Sequence, residues 1–222
     1  MSKTLIVKRP IAQCELINYT PDPVGTVLTA AGVSYNKKKT KRLQVLMGKE
    51  FHESPFRHVH FTFRLKVPLY IFRQLQRAEV GRDFVERSLR YTKISSTDDF
   101  YWTHEYEKDH IAKSINMYEA MISINNSRKS DDGEAQQEAR RILPQSMFVT
   151  SVVTVSLSWL LRLLKDRVFN ESAQPNTRRV ALFIIKALSE YVYEDSGVDL
   201  ITEVFDIYAQ QYLGSTLQKL II

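Results

Sequence analysis

Cysteine and glycine are scarce in this sequence, and each shortage excludes a class of site. Cys14 is the only cysteine among 222 residues, so the sequence excludes a disulfide framework and a cysteine-rich zinc site, and we expect a cytoplasmic, reducing location. The seven glycines are too scattered for a Gly-x-Gly-x-x-Gly turn or a Walker loop. A phosphate-binding site in this chain would therefore use arginines, hydroxyls and helix N-termini.

Long hydrophobic runs are also missing. The most apolar stretch, residues 147–164, is interrupted by Ser, Thr and Arg162, and the first residues do not resemble a signal peptide, so we expect no membrane association. Hydrophobic residues make up 44% of the chain and charged residues 25%. These are ordinary values for a globular protein, and we predict one domain over residues 1–222.

The chain is basic, with a net charge of +6. This charge suits an anionic partner without distinguishing a nucleotide from a nucleic acid. The basic run from Lys37 to Arg42 is interpreted first as a solvated surface. The less favoured alternative, RNA or DNA binding, predicts an affinity that falls steeply with salt.

Hydrophobic periodicity predicts an α+β, helix-rich fold with a small antiparallel sheet. Residues 58–67 alternate apolar and polar side chains, which is typical of a strand, and Pro68 then opens a helix that extends to about Ala78. Three- and four-residue spacing predicts further helices. They cover residues 106–124, 134–143, 145–168, 175–193 and 198–213.

Arginines are dense after this strand, at positions 73, 77, 82, 87 and 90. They indicate either an anion-binding site or surface ion pairs with the neighbouring acids. No nucleophile with an adjacent base is evident, because Ser88 lacks a Gly-x-Ser-x-Gly elbow and Cys14 has no histidine beside it. The three histidines at 52, 58 and 60 match no standard ligand set, so we expect no metal site. An arginine- and hydroxyl-lined site of this kind suits a phosphorylated small molecule and a cofactor that performs the difficult chemistry.

Several motifs in order resemble the flavin-dependent thymidylate synthases, the ThyX family. The first half carries His-Glu-Ser-Pro-Phe-Arg-His at 52–58, Phe-Thr-Phe at 61–63, Arg73-Gln74, Arg77 and Glu-x-Ser-x-Arg-Tyr at 86–91. The second half carries Ala-Arg-x-x-Leu-Pro at 139–144, Arg167 and Ala173-Gln174. An early Ala-Ala-x-Val-Ser at 30–34 is also similar.

The resemblance implies a ThyX-like fold, assembled as a homotetramer with active sites between subunits. It implies that FAD, reduced by NADPH, passes a one-carbon unit from methylenetetrahydrofolate to dUMP and yields dTMP. It further implies that no enzyme cysteine attacks the uracil ring.

The matching positions imply roles for individual residues. Arg167 matches the arginine that polarises the pyrimidine, and Ser88 would donate a hydrogen bond near the substrate, so both are expected to be catalytic. The residues that match substrate-binding positions are Gln74, Arg77, Glu86, Ser88, Arg90, Arg140 and Arg167. The expected cofactor-binding residues are Ser54, Arg77, Glu79, Arg82, Ser156 and Arg162.

The departures from the family concentrate on the flavin. Where the family has Arg-His-Arg, this chain has Arg77-Ala78-Glu79, and the motif is one residue longer, so Arg82 is a candidate replacement. Two alternatives to dTMP synthesis therefore stay open. One is a related enzyme that hydroxymethylates dUMP or another pyrimidine nucleotide, and the other is an inactive nucleotide-binding homologue.

Overall fold

The structure is a computed structural model that describes residues 10–34, 46, 51–126, 132–214 and 217. Its strands are β1 (Gln13–Tyr19), β2 (His60–Pro68), β3 (Arg82–Glu86) and β4 (Phe148–Ser156). Its α-helices are α1 (Pro23–Ser34), α2 (Leu69–Leu75), α3 (Glu105–Asn126), α4 (Asp132–Ala139), α5 (Leu157–Leu163), α6 (Pro175–Ser196) and α7 (Ile207–Leu213). Short 3-10 turns cover Ser54–His58, Thr97–Asp99 and Arg140–Ile142, and π-helical segments cover Leu164–Phe169 and Ile201–Asp206.

The four strands form one sheet in the order β1-β2-β4-β3. Antiparallel pairing of β3 and β4 is evident from their ends, where the Ser156 amide donates to the Gly81 carbonyl and the Arg87 amide donates to the Thr150 carbonyl. The predicted α+β class with a small antiparallel sheet is therefore confirmed.

Strand β2 confirms the alternation seen in the sequence. Phe61, Phe63 and Leu65 are buried, while His60 and Arg64 are exposed. Because Pro68 cannot continue the ladder as a donor, the chain turns directly into α2 at Leu69. This helix ends at Leu75, three residues before the predicted end.

The predicted helix over residues 145–168 is wrong. Its first half is strand β4, and only Leu157 onward is helical. The segment from Val149 to Val155 consists largely of valine and threonine, whose branched side chains favour a pleated surface. An apolar Val152 on the more exposed face and a polar Ser151 on the buried face blur the alternation, so the two-residue period cannot be recognised.

The other long helices agree with the predictions, with α3 and α6 each extended by a few residues. Strands β1 and β3 were not predicted, because both are short and carry mostly exposed side chains. The basic run from Lys37 to Arg42 lies outside the described residues. Within the described part of the chain, no helix is long and apolar enough to cross a membrane.

The described chain divides into two compact units. The first comprises residues 10–13, 66–73, 85–126 and 132–151. In it α3 packs against α4, and Phe72, Phe100 and Tyr118 are fully buried. The prediction of a single domain stays a prediction.

The second unit comprises residues 14–34, 46, 51–65, 74–84, 152–214 and 217. Its core includes the buried rings of Phe56, Phe61, Trp159 and Phe205. The Ser54–His58 turn packs against both α1 and α5.

Candidate functional site

Gln74, Arg77 and Arg167 form one contact group in the second unit. Arg77 Nη1 donates to Gln74 Oε1 over 3.2 Å, and Arg167 Nη2 donates to the Gln74 carbonyl over 3.4 Å. That carbonyl lies in the last turn of α2, where helical carbonyls lack partners within the helix. Gln74 at the end of α2 thus contacts two arginines, of which Arg167 is 93 positions away in sequence.

Arg167 lies in the π-helical segment Leu164–Phe169, and its side chain is half-buried. Single π-helical turns inside helices occur often at functional sites. Its Nη1 donates to the Asp166 carbonyl over 3.2 Å. Both bonds of this guanidinium are longer than the usual 2.9–3.0 Å of an N–H···O bond, so a ligand could replace them at low cost.

Glu86 lies in the first unit within the field of two arginines. It is the last residue of β3, and partial burial of its carboxyl raises its pKa, while the positive charges of Arg140 and Arg73 act in the opposite direction. Arg140 opens the 3-10 turn Arg140–Ile142 and is exposed. Two cations beside one carboxylate leave a net positive charge that suits an anion.

Ser88 and Arg90 follow β3 in the same unit, and both are exposed. The Arg90 amide donates to Ser88 Oγ over 3.2 Å. Because this contact uses Ser88 as an acceptor, its hydroxyl proton remains able to donate to a ligand. That geometry agrees with a donor role for Ser88.

Arg82 is bound closely to its own loop. Its Nε donates to the Ala78 carbonyl over 2.7 Å and its Nη2 donates to the Gln76 carbonyl over 2.5 Å. The guanidinium also lies over the Phe84 ring, 4.8 Å from the centroid. Trp159 Nε1 donates to the same Ala78 carbonyl over 3.0 Å.

Ser156 closes the other end of this loop. Its Oγ is 2.9 Å from Ser158 Oγ and accepts from the Trp159 amide as the N-cap of α5. Gly81 has a φ of +83°, and a Cβ added there would lie 2.4 Å from Ser156 Oγ. Only glycine fits this turn, and Ser156, at 1% exposure, is buried beneath it.

Glu53, Arg57 and Arg162 form an ion-pair network beside Ser54. Arg162 Nη2 donates to both carboxylate oxygens of Glu53, over 2.5 and 2.7 Å, and Arg57 Nη2 donates to Oε1 over 3.1 Å. Burial opposes ionisation of Glu53, but the two guanidinium groups outweigh it and lower its pKa. Ser54 begins the adjacent 3-10 turn and is exposed, and Glu79, on the loop before Arg82, is exposed as well.

The described residues contain no cluster of three or more His, Cys, Asp or Glu side chains that could hold a metal ion.

The chain is similar to one family model and to several known proteins. A family model described as "Thymidylate synthase complementing protein" matches residues 15–192. The flavin-dependent thymidylate synthase of Thermosipho melanesiensis is 31% identical over 188 residues, which cover 74% of this chain and 80% of the relative. That of Thermosipho africanus is 32% identical over 186 residues, covering 72% and 79%. The chain belongs to the flavin-dependent thymidylate synthase family.

A more distant relative spans a similar part of the chain. The flavin-dependent thymidylate synthase of Pyrococcus horikoshii is 28% identical over 197 residues, covering 81% of this chain and 80% of the relative. Membership of the flavin-dependent thymidylate synthase family, inferred from the motifs, is therefore confirmed.

The predicted site residues of this chain lie in several separate contact groups. Gln74, Arg77 and Arg167 are in contact, and Glu86 and Arg140 interact electrostatically. The cofactor-binding candidates Arg82, Ser156 and Arg162 are held by internal hydrogen bonds. Their roles toward ligands stay predictions.

Three neighbours of the predicted residues were not assigned a role from the sequence. They are Glu53, which pairs with Arg162; Gly81, which fits against Ser156; and Trp159, which binds the Ala78 carbonyl. Glu53 is part of the motif at 52–58 and could have been proposed as an arginine partner. No sequence pattern links Trp159 to a residue 81 positions away.

Proposed function

We propose that this protein is a flavin-dependent thymidylate synthase, a methyltransferase that converts dUMP to dTMP. FAD is its cofactor, and NADPH and methylenetetrahydrofolate are its co-substrates. The observation that carries this proposal is the family match over residues 15–192, which includes every predicted site residue. The contact of Gln74 with both Arg77 and Arg167 supports it from the geometry.

Arginine chemistry explains how the substrate would be held and activated. A guanidinium keeps its charge at any physiological pH and can bind a phosphate through two parallel bonds. Arg77, Arg90 and Arg140 are exposed, and each of these side chains is able to bind a phosphate such as that of dUMP. Arg167 is half-buried, so its charge is less screened and can stabilise negative charge that develops on the uracil ring.

Cysteine chemistry is disfavoured by the surroundings of Cys14. Burial raises the pKa of its thiol to about 12. A thiol with this pKa is almost fully protonated at neutral pH, and the thiolate is the nucleophilic form. This property supports a mechanism in which no cysteine attacks the uracil.

The donor set near Ser54 fits an anionic cofactor such as FAD. A guanidinium has five N–H donors, and Arg162 binds Glu53 through Nη2 alone. Ser54, next to Glu53 in the chain, adds an exposed hydroxyl. When bound, FAD would supply the hydride and carry the one-carbon unit.

We also propose a homotetramer with active sites between subunits, in the cytoplasm. Helix α3 supports subunit contacts, because Met117 and Ile124, seven residues apart on one face, are 59% and 52% exposed. Exposed apolar faces of this kind often mark protein interfaces. Sedimentation of the purified protein tests the assembly, with a monomer as the contradicting result.

Product analysis tests the proposed function. The protein is incubated with dUMP, FAD, NADPH and methylenetetrahydrofolate, NADPH oxidation is followed, and the nucleotide is identified by mass spectrometry. We expect dTMP, with no turnover when methylenetetrahydrofolate or dUMP is omitted. Hydroxymethyl-dUMP would instead indicate the related hydroxymethylase, and dUMP binding without turnover would indicate an inactive homologue.

The arginine control uses two variants. Arg167→Ala is expected to abolish most turnover. Arg64→Lys changes an exposed arginine that pairs with Glu15 on the surface, and it should behave as the wild type. Equal activity in both variants would contradict the role given to Arg167.

A further inference from the structure

The Nε and Nη2 side of the Arg82 guanidinium is already engaged, although its position in the sequence made Arg82 a cofactor-binding candidate. Its Nε and Nη2 donate to the carbonyls of Ala78 and Gln76 over 2.7 and 2.5 Å. These are short, charge-assisted hydrogen bonds, and such bonds are about twice as strong as neutral ones. The cation–π contact with Phe84 further restricts the side chain.

The two carbonyls lie on either side of one residue, Arg77. Gln76 precedes Arg77 and Ala78 follows it, so the guanidinium of Arg82 fixes the backbone at both sides of Arg77. A planar guanidinium holds two acceptors in a fixed geometry, which the single nitrogen of a lysine cannot do. Arg82 therefore limits the directions in which the side chain of Arg77 can point.

Two further contacts anchor the loop to the core of the second unit. The fully buried Trp159 donates to the Ala78 carbonyl. At the other end, Gly81 fits against Ser156 Oγ, and the Ser156 amide donates to the Gly81 carbonyl over 2.8 Å. The loop from Gln76 to Arg82 is thus attached at its middle and at its end.

We propose that Arg82 is a positioning residue that acts through Arg77 and not on the flavin directly. With the loop fixed, Arg77 Nη1 reaches Gln74 Oε1, and the Gln74 carbonyl accepts from Arg167. Arg82 thereby sets the orientation of Arg77 relative to Arg167 before dUMP binds. The inference rests on the proposed function for the identity of the ligand, whereas the loop contacts do not depend on it.

A double-mutant cycle on dUMP binding tests this inference. The dissociation constant for dUMP is measured at equilibrium in the wild type, Arg82→Lys, Arg77→Ala and the double variant. We expect Arg82→Lys to weaken binding about tenfold, which corresponds to about 1.4 kcal/mol. In the Arg77→Ala background the same change should have almost no effect, because Arg82 acts through Arg77. Additive effects would overturn the proposal.

Measurements of FAD binding distinguish a positioning role of Arg82 from a direct contact between Arg82 and the flavin. If Arg82 acts through Arg77 alone, Arg82→Lys in the Arg77→Ala background should leave the FAD dissociation constant unchanged. A further loss of FAD affinity in that background would mean that Arg82 contacts the flavin. Arg82→Gln serves as a second variant if Arg82→Lys does not fold, and Arg64→Lys is the matched surface control.

Hydrogen–deuterium exchange tests the loop without any ligand. Peptides that cover residues 76–82 should exchange about tenfold faster in Arg82→Lys than in the wild type, while peptides from α6 should not change. Unchanged exchange in the loop would overturn the positioning role. If the loop exchanges faster but the wild type binds no dUMP, then the proposed function has failed and the loop contacts remain.

Discussion

Arg77 and Arg167 donate to their neighbours over 3.2–3.4 Å, whereas Arg82 and Arg162 donate over 2.5–2.7 Å. After the roles predicted for them, we call the first two the substrate-side pair, although Arg77 is also a predicted cofactor residue, and the second two the cofactor-side pair. Long bonds cost little to exchange for a ligand, and short charge-assisted bonds to carbonyls or a carboxylate cost more.

Arginines that lie close together in the sequence therefore do not all remain available to bind a ligand. The cofactor-side pair carries the same charge as the substrate-side pair but stabilises the chain around it. The departure at Ala78 and Glu79 therefore falls in a loop where Arg82 already donates to backbone carbonyls. Substitutions at four positions test this distinction, and their expected effects decrease in the order given.

The largest effect is expected for the substrate-side pair. Arg167→Ala should lower kcat by about a hundred- to a thousandfold, since loss of one donor to developing negative charge has this effect in other enzymes. Thermal stability should change little, because its two bonds to carbonyls are long. Steady-state kinetics and a melting curve check both expectations. A large loss of stability would place Arg167 with the cofactor-side pair.

The next effect concerns the loop that Arg82 holds. Gly81→Ala should destabilise the protein by about 2–3 kcal/mol, because an L-residue is strained at positive φ and its Cβ would displace Ser156 Oγ. Gly197→Ala is the matched control. Gly197 also has positive φ, at +76°, but nothing lies within 4 Å of an added Cβ, so about 1 kcal/mol is expected. If urea unfolding gave the same loss of unfolding free energy for both variants, the contact with Ser156 Oγ would not restrict the side chain at Gly81.

Glu53→Gln tests the partner of Arg162. Losing the charged acceptor should cost about 1.5 kcal/mol of stability at neutral pH. Because the pKa of Glu53 is lowered in the folded state, its contribution is present above the ordinary glutamate pKa and is lost as the pH falls through the lower, folded-state value. The difference between wild type and variant should therefore vanish in acid. A pH-independent difference would exclude the ion pair as its cause.

The smallest effect is expected at Glu79. The series Glu79→Gln and Glu79→Arg should strengthen FAD binding by about two- to fivefold at each step, since an exposed charge contributes less than about 1 kcal/mol. Raising the salt concentration should reduce the gain. Flavin titrations at two salt concentrations measure it, and an unchanged affinity would remove Glu79 from the cofactor site.

Sequence patterns predicted β2 and the long helices because one face of each element is buried and the period is visible. They failed at β4, where Val152 on the exposed face and Ser151 on the buried face hide the two-residue period, and at β1, where most side chains are exposed. The motifs predicted site residues by type and position, and the roles of these residues toward ligands stay predictions. The motifs could not show that Arg82 donates to the Gln76 and Ala78 carbonyls. Every residue has a backbone carbonyl, so residue types do not indicate which carbonyl an arginine binds.

The most direct test is to titrate the purified protein first with FAD and then with dUMP while the visible absorption of the flavin is recorded. We predict that FAD is taken up and that dUMP shifts its spectrum in the wild type and in Arg64→Lys, with a much weaker response in Arg167→Ala. This result would place nucleotide and flavin in one site that depends on the substrate-side pair. A colourless protein that binds dUMP but never takes up FAD would contradict the account.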